Sequence, residues 1–234
     1  MKQTRGYINR ILLILMPLLF MSVGMANDIY VTQSGDTLDL DITQDGQNNT
    51  VGNSTTSSSS VGPTTTLNID QIGNSNVITY AINGATYTGV INLVGNSNNV
   101  DLNCDSTGGN SSCGTANAVI NFTGSSNDID LDIGQTSSAS TADVDIVGQS
   151  GSDSNVVAAT VDGNSAILTI TVNGDTNNWL IDIDGNGDVN GHTLIHTHTG
   201  GIADVDIVQS GINDQYINLT TSGDNHDIDI SQTD

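Results

Sequence analysis

The chain has 234 residues, a net charge of −23, and 26 acidic against three basic side chains. The basic residues all lie within the first ten positions, so the rest of the chain has no Lys or Arg to displace counterions from phosphates. This composition excludes a nucleic-acid binder and disfavours anionic membrane surfaces and polyuronate substrates. Strong helix formers are scarce, which favours β-structure with many Gly and Asn turns.

Residues 1–26 are predicted to be a signal peptide. A basic start is followed by the apolar run Ile11–Phe20, and the small residues Gly24 and Ala26 fit a cleavage site. The apolar run is too short for a membrane span and no second one follows. We therefore expect a secreted, extracellular or cell-surface protein of a bacterium. Its mature domain is 27–234, with a charge of about −26 and no membrane span.

Cys104 and Cys113 are the only cysteines of the chain. In an exported protein they are expected to form a disulfide that closes a Gly/Ser-rich loop. A site for a soft metal is the alternative, but no His or third Cys lies nearby in the sequence.

A repeat of about eleven residues organises the mature chain. Gly35 and Gly46, Gly73 and Gly84, and Gly84 and Gly95 are each eleven residues apart, and an Asn often follows the Gly three residues later. Eleven residues accommodate a strand and a tight turn, so two such segments predict a coil of about 22 residues.

Alternating apolar and polar residues predict half-buried strands. Near Gly124, Ile129 and Leu131 are expected inside, and Asp128 and Asp130 outside. Such units cannot bury their faces alone and must stack. The fold class predicted is therefore all-β, a β-solenoid of stacked two-strand coils, with an antiparallel sandwich as the alternative. Irregular segments at 53–66, 104–113, 135–141 and 149–153 are expected to be insertions at the turns.

Inward Asn and Gln side chains are expected to hydrogen-bond to their equivalents in adjacent coils, as in amide ladders. The predicted structural ladder, with its turn glycines, comprises Gln44, Gly46, Asn49, Gln71, Gly73, Asn76, Gly95, Asn98, Gly124 and Asn127.

The pattern Ile-x-Gln-x-Gly-x-x-Asn, at 42–49 and 69–76, resembles the curlin repeat. Curlins are exported subunits of curli, functional amyloid fibres of the bacterial biofilm matrix, with β-solenoid coils of similar length. The resemblance implies a homopolymer, or assembly with other curlin-like subunits, and export through an outer-membrane secretion pore. In later units the first Gln is replaced by Leu93, Phe122, Ile146 and Val172.

One segment resembles a calcium loop. Asp182, Asp184, Asn186 and Asp188 supply oxygen ligands at positions 1, 3, 5 and 7 of an EF-hand-like loop, but the bidentate Glu at position 12 is missing. Calcium is the one candidate cofactor, and another Asp/Gly/Asn turn is the alternative. His192, His196 and His198 share one strand face, as a metal site needs, although solvent-facing His residues are the simpler interpretation. Trp179 and Tyr216 are interpreted as packing residues.

Three functions are consistent with the sequence. The first is a curli-like fibre subunit or nucleator in biofilm matrix or cell adhesion. The second is a calcium-stabilised soluble adhesin or binding module, and the third is an ice-binding solenoid, which would need a regular Thr array. No Gly-x-Ser-x-Gly elbow or triad signature is present, so we expect no enzyme and no catalytic residues.

Overall fold

The computed structural model describes residues 27–46, 48–52, 55, 57–73, 75–95, 97–104, 113–133, 141–149, 151–162, 165–184, 192–211 and 215–233. The predicted signal peptide lies outside these residues. Within them the protein is all-β and contains no helix.

The strands are short and are joined by tight corners. In chain order they are β1 (Asp28–Ile29), β2 (Thr32–Ser34), β3 (Leu38–Asp45), β4 (Thr50–Val51), β5 (Ser58–Val61), β6 (Thr64–Ile72), β7 (Val77–Asn83), β8 (Thr86–Val94), β9 (Asn99–Asn103), β10 (Thr115–Thr123), β11 (Asp128–Ile133), β12 (Thr141–Gly148), β13 (Val156–Asp162), β14 (Ser165–Asn173), β15 (Asn177–Asp184), β16 (Thr193–Thr199), β17 (Ala203–Ser210), β18 (Tyr216–Ser222) and β19 (His226–Thr233).

The strands form two parallel sheets that face each other across a narrow core. Sheet A runs in the order β1-β4-β7-β9-β11-β13-β15-β17-β19, with β2 and β5 at its N-terminal end, and sheet B runs β3-β6-β8-β10-β12-β14-β16-β18. The chain alternates between the sheets, and each strand pairs in parallel with the equivalent strands of the adjacent coils. This is the predicted β-solenoid, which is confirmed.

The coils are longer and less uniform than the repeat predicted. The described chain makes about seven turns of about 26 residues. Asp70 and Asn92, one coil apart, are 22 residues apart, whereas Asn92 and Asn121 are 29 apart. The second interval contains the 104–113 loop, so insertions at the corners lengthen the coil without disturbing the stacked strands.

One predicted insertion is partly wrong. Residues 58–61 form β5 in sheet A, and β6 of sheet B begins at Thr64. Ser58 and Ser60 are buried, and the Ser60 hydroxyl lies 3.0 Å from that of Thr65. Because these hydroxyl groups pair inside the core, a Ser/Thr run with a turn-like composition can be strand here.

The predicted alternation is confirmed. Ile129 and Leu131 are fully buried, whereas Asp128 and Asp130 are exposed. One inward column of sheet B is almost entirely Ile, because a β-branched side chain stacks well on its copy in the adjacent coil. From the N-terminal coil onward that column consists of Ile42, Ile69, Ile91, Ile120, Ile146, Ile170, His196 and Leu219.

Large and small residues compensate within an inward column. Gly148 lies between Phe122 and Val172 in sheet B. A Cβ on Gly148 would be 2.7 Å from Cζ of Phe122 and 2.8 Å from Cγ2 of Val172. The absence of a side chain at position 148 therefore makes room for the Phe122 ring.

Candidate functional site

A ladder of buried Asn side chains lies at the corner where each sheet B strand turns into the next sheet A strand. Nδ2 of Asn98 donates to Oδ1 of Asn127 at 2.8 Å, and the bond repeats at 2.9 Å from Asn127 to Asn155 and from Asn155 to Asn177. Each acceptor Oδ1 also takes the backbone N–H of the preceding Asn. These bonds pair amide groups that are buried away from solvent and hold adjacent coils in register.

The same Asn residues close their own turns. Nδ2 of Asn127 donates to the carbonyl oxygen of Gly124 at 2.8 Å, and Nδ2 of Asn98 donates to that of Gly95 at 3.1 Å. The residue before each Asn is left-handed, with φ of 61° at Ser126. That conformation costs a non-Gly residue about 1–2 kcal/mol, and the Asn bonds on either side of it hold it in place.

The turn glycines are required by close backbone approach. A Cβ on Gly73 would overlap the carbonyl oxygen of Gly46, and a Cβ on Gly95 would overlap that of Gly73. Gly124 has a φ of 125°, which L side chains rarely adopt. Sequence periodicity located these glycines, and the stacking of one turn on the next explains them.

The N-terminal coils use Gln as well as Asn. Nε2 of Gln71 donates to Oε1 of Gln44 at 2.6 Å. Asn49 and Asn76 are buried at the Asn column but donate to the backbone carbonyls of Ile72 and Val94 in the next coil, at 2.9 and 3.5 Å. Gln44 and Gln71 thus form the predicted amide pair. Asn49 and Asn76 lie in the ladder column but donate to backbone carbonyls, so the predicted Asn-to-Asn bonds begin only at Asn98.

The later members of the Gln column need one correction. Leu93, Phe122 and Val172 occupy it, but Ile146 does not, because it pairs with Ile120 and Ile170 two residues away. Gly148 takes the position instead. Aligning the unit on Gly148 as a turn residue caused the error, since Gly148 is the last residue of β12.

A cluster of imidazoles fills the core near the C-terminal end. His192, His196 and His198 all point inward and are buried, so the interpretation of these residues as solvent-facing is wrong. Nδ1 of His192 accepts the backbone N–H of Ala166 at 3.1 Å. The rings of His196 and Trp179 meet edge to face at 5.0 Å, and those of His198 and His226 at 5.3 Å.

Burial favours the neutral form of His196 and His198. Desolvation lowers the pKa of His196 to about 4, with a smaller contribution from His198. Burial also lowers the pKa of His198, His226 adds to that effect, and Asp175 opposes it. Among the described residues, no hydrogen-bond partner meets either ring nitrogen of His196 or His198. Trp179 is a core residue as predicted, but Tyr216 is exposed and its predicted packing role is wrong.

The outer surface of sheet A carries adjacent carboxylates. Asp101 pairs with Asp130 in the next coil, and Asp128 lies two residues before Asp130 on the same face. Partial burial raises the pKa of Asp130, and repulsion from Asp101 and then Asp128 adds to the rise. On sheet B, Asn side chains relieve such contacts, since Nδ2 of Asn92 donates to Asp70 and Nδ2 of Asn68 donates to Asp41.

Cys104 and Cys113 form a disulfide whose Cα atoms are 5.8 Å apart. Both residues are buried, and the bridge joins the end of β9 to the start of β10. The loop between them lies outside the described residues.

The proposed calcium loop falls largely outside the described residues. Asn186 and Asp188 are not among them, Asp184 is the last residue of β15, and Asp182 is exposed on the outward face of that strand. Calcium binding here stays a prediction. Among the described residues no group of three or more His, Cys, Asp or Glu side chains could hold a metal ion, and no helix of the described chain is long and apolar enough to cross a membrane.

The C-terminal coil leaves its inner side chains open. Ile228 and Ile230 belong to inward columns, yet they are 36% and 49% exposed, because no coil lies beyond them among the described residues. Ile217 and Leu219 of β18 are half-buried for the same reason. In the described part of the chain, β18 pairs only with β16 and β19 only with β17.

The N-terminal coil is the counterpart of this open end. Within the described residues β3 pairs only with β6, β1 only with β4, and β2 only with β5. Its inward residues Ile29, Leu38 and Leu40 are half-buried and pack on the core from one side. Each end therefore presents parallel strand edges whose outward-directed N–H and C=O groups can accept another coil.

Comparison with known proteins found no family model, no curated protein and no solved structure that matches this chain.

Proposed function

We propose that the protein is a secreted structural subunit or nucleator of a curli-like extracellular fibre, which assembles by stacking the C-terminal coil of one copy on the N-terminal coil of another. The observation that carries the proposal is the pair of open ends. A cell exporting this chain would gain a matrix or adhesion fibre built from repeats of one fold.

The inward columns support stacking of the two ends. If a second copy continues the columns of sheet B, its Leu40 meets Ile217 and its Ile42 meets Leu219. The apolar groups that are half-buried in one copy would then be enclosed. Enclosing them contributes roughly 25 cal/mol per Å² of apolar surface removed from water.

The sheet A edges match along their full length. The columns place Asp28 of the second copy beside Asp227, and they independently place Thr32 beside Ser231. The spacing from 28 to 32 equals that from 227 to 231, so both pairings hold in one register. In the second coil, β4 ends at Val51 and β5 begins only at Ser58, whereas in the first coil β1 ends at Ile29 and β2 begins at Thr32. The longer interval of the second coil therefore does not interrupt the edge of the first coil.

This register also extends an amide pair. Nε2 of Gln232 donates to Oε1 of Gln209 at 3.1 Å, and Gln33 of the next copy would be the third member of that column. Gln residues thus stand at both ends of this column. Between them the column holds the buried Ser60 next to Gln33, and then buried aliphatic residues, which are Ile82, Ile133, Val161 and Ile183. Coils within one copy are connected covalently by the chain. Two copies are not, so their junction gains specificity from paired amides such as these.

The fibre test compares the mature protein with two variants that each place Asp at an exposed aliphatic position. Ile230→Asp puts a charge on the open end, and Val208→Asp puts one on the outward face of β17. We expect thioflavin-positive fibres with cross-β diffraction from the wild type and from Val208→Asp, and monomers from Ile230→Asp. A wild type that stays monomeric and dye-negative, with or without calcium, contradicts the proposal and favours the calcium-stabilised soluble module.

Cysteine pairs test the register. Thr32→Cys with Ser231→Cys should give covalent ladders of whole subunits after oxidation of fibres, because the two side chains would be neighbours on the same outer face. Thr32→Cys with Asp229→Cys, displaced by two residues, is the matched control. Fibres that cross-link equally well in both variants would contradict the register but leave fibre formation intact.

A further inference from the structure

The outer surface of sheet B at the C-terminal end is uncharged. It is formed by the outward side chains of β14, β16 and β18, which we call the neutral face. None of these described positions carries a charged side chain. They are Ser165, Ile167, Thr169, Thr171 and Asn173 of β14, Thr193, Ile195, Thr197 and Thr199 of β16, and Tyr216, Asn218, Thr220 and Ser222 of β18.

The charge lies elsewhere on the same coils. Outward positions of sheet A, on the opposite side of the solenoid, carry Asp204 and Asp206 in β17 and Asp227 and Asp229 in β19. The neutral face is bordered on sheet B by the outward Asp143 and Asp145 of β12. Although the chain has 26 Asp and only three basic residues, its C-terminal half thus has one charged and one uncharged outer surface.

The neutral face is regular and partly apolar. Thr171, Thr197 and Thr220 form one column through the three strands. Beside it Ile195 lies between Thr169 and Asn218, and Ile167 is 42% exposed at one edge. Flat sheets with hydroxyl, methyl and aliphatic groups pack face to face at about 10 Å.

We propose that the neutral face is a lateral interface on which a second copy of the chain packs with its own neutral face, so that fibres of the proposed kind associate side by side. Charge favours this occupant for a lateral contact, because copies packed side by side on their acidic outer surfaces would repel each other, whereas the neutral face brings no carboxylates together. A self-complementary patch is also what a two-fold contact requires. A neutral polysaccharide is less favoured, because Tyr216 is the one aromatic ring on the face.

The size of the face indicates that the contact depends on stacking. Three strands of seven to nine residues cover roughly 350 Å², from strand spacings of about 4.8 Å and a rise of about 3.3 Å per residue. A standard interface buries about 800 Å² per partner. Because the face repeats along a fibre, many weak contacts form at once, and two fibres associate more strongly than two single copies would. The inference therefore rests on the proposed fibre.

The experiment introduces one charge on each side of the solenoid. Ile195→Asp lies at the centre of the neutral face, and Val208→Asp lies on the acidic outer face of sheet A. We expect all proteins to form thioflavin-positive fibres. Electron microscopy and low-speed sedimentation should then show paired or bundled fibres for the wild type and Val208→Asp, and loss of bundling to single fibres for Ile195→Asp.

A second variant guards against a folding defect. Thr197→Asp, in the column beside Ile195, should also give single fibres, and circular dichroism of the monomers checks that both variants fold. Bundles that persist in both variants would overturn the proposal. Retention on a neutral polysaccharide or shaping of ice crystals that both variants lose, with no change in bundling, would overturn it in favour of that ligand.

The two proposals fail in different ways. If the wild type forms single fibres that never bundle, the lateral interface is wrong and the fibre proposal stands. If the wild type forms no fibres, the fibre proposal is wrong. Without fibres the lateral interface is wrong as well, because one face of roughly 350 Å² is too small to hold two single copies together.

Discussion

At the scale of single residues, the Asn ladder is the feature whose loss should cost most. Asn127 is buried, accepts from Asn98 and donates to Asn155 and to the Gly124 carbonyl oxygen. Asn127→Ala removes the acceptor of the Asn98 backbone N–H and one of the donors to Oδ1 of Asn155, which should lower the free energy of unfolding by about 2–4 kcal/mol. Urea unfolding followed by circular dichroism measures this loss.

Asn121→Ala is the matched control for Asn127→Ala. Asn121 lies in the same coil and donates to Oδ1 of Asn92, but it points outward and is half-buried. Its loss should cost less than about 1 kcal/mol because water replaces the bond. Equal costs at the two positions would show that the interior ladder contributes no more than a surface pair.

A second residue-scale prediction concerns the contact between Phe122 and Gly148. Gly148→Ala places a Cβ 2.7 Å from the ring, which overpacks the column and should cost about 1–3 kcal/mol. Phe122→Leu in the same chain shortens the side chain, and the double variant should recover part of the loss. A double variant no more stable than Gly148→Ala in a double-mutant cycle would contradict direct contact between the two residues.

At the scale of the element, strand β16 makes the C-terminal coils sensitive to acid. His196 occupies the Ile column, and burial lowers its pKa to about 4 from an ordinary value of 6.5. The unfolded chain binds this proton more tightly, so stability that is present above pH 6.5 falls progressively as the pH drops towards 4. The loss is about 3 kcal/mol from this one group.

His196→Ile tests this pH dependence by restoring the residue of the column. Thermal melts between pH 7 and 4 should show a smaller loss of stability for His196→Ile than for the wild type. The comparison is made as a difference, since both proteins share every other titratable group. Parallel curves for the two proteins would show that the imidazole is not the acid-sensitive group.

At the scale of the whole molecule, the charge distribution should make stability depend on salt. Asp101 and Asp130 are neighbours across adjacent coils, with Asp128 near both, and no Lys or Arg follows position ten. Raising NaCl from 10 mM to 1 M shortens the Debye length from about 30 to about 3 Å. The melting temperature of the mature protein should therefore rise by several degrees.

The salt prediction has its control in the same columns. Asp130→Asn removes a carboxylate whose pKa is raised by partial burial and, beyond that, by repulsion from Asp101 and Asp128, so this variant should melt higher at low salt and gain less from added NaCl. An unchanged salt response would indicate that the Asp columns are too well solvated to repel each other, as many surface charges are.

The whole architecture was accessible from the sequence because its signals repeat. Period-two alternation predicted which side of each strand faces the core, and the Gly-x-x-Asn spacing predicted the turns and the ladder. Features that occur once were missed. The sequence places Ile146 in the Gln column because Gly148 resembles a turn residue, and it favours a solvent-facing His196 because imidazole suits either face. The pairing of one coil end with another depends on the exposed strand edges of whole coils, so no short sequence motif predicts it.

Each coil of the described chain contacts only the coils directly before and after it, so the number of coils in the chain can change. Asn155 and Asn177 occupy the same point of consecutive coils, 22 residues apart. Excising residues 156–177 would therefore join equivalent points of the backbone and bring β11 against β15 and β12 against β16, with the inward and outward faces preserved. The solenoid can therefore become longer or shorter by one whole coil when a repeat is inserted or lost, while the remaining coils keep their packing.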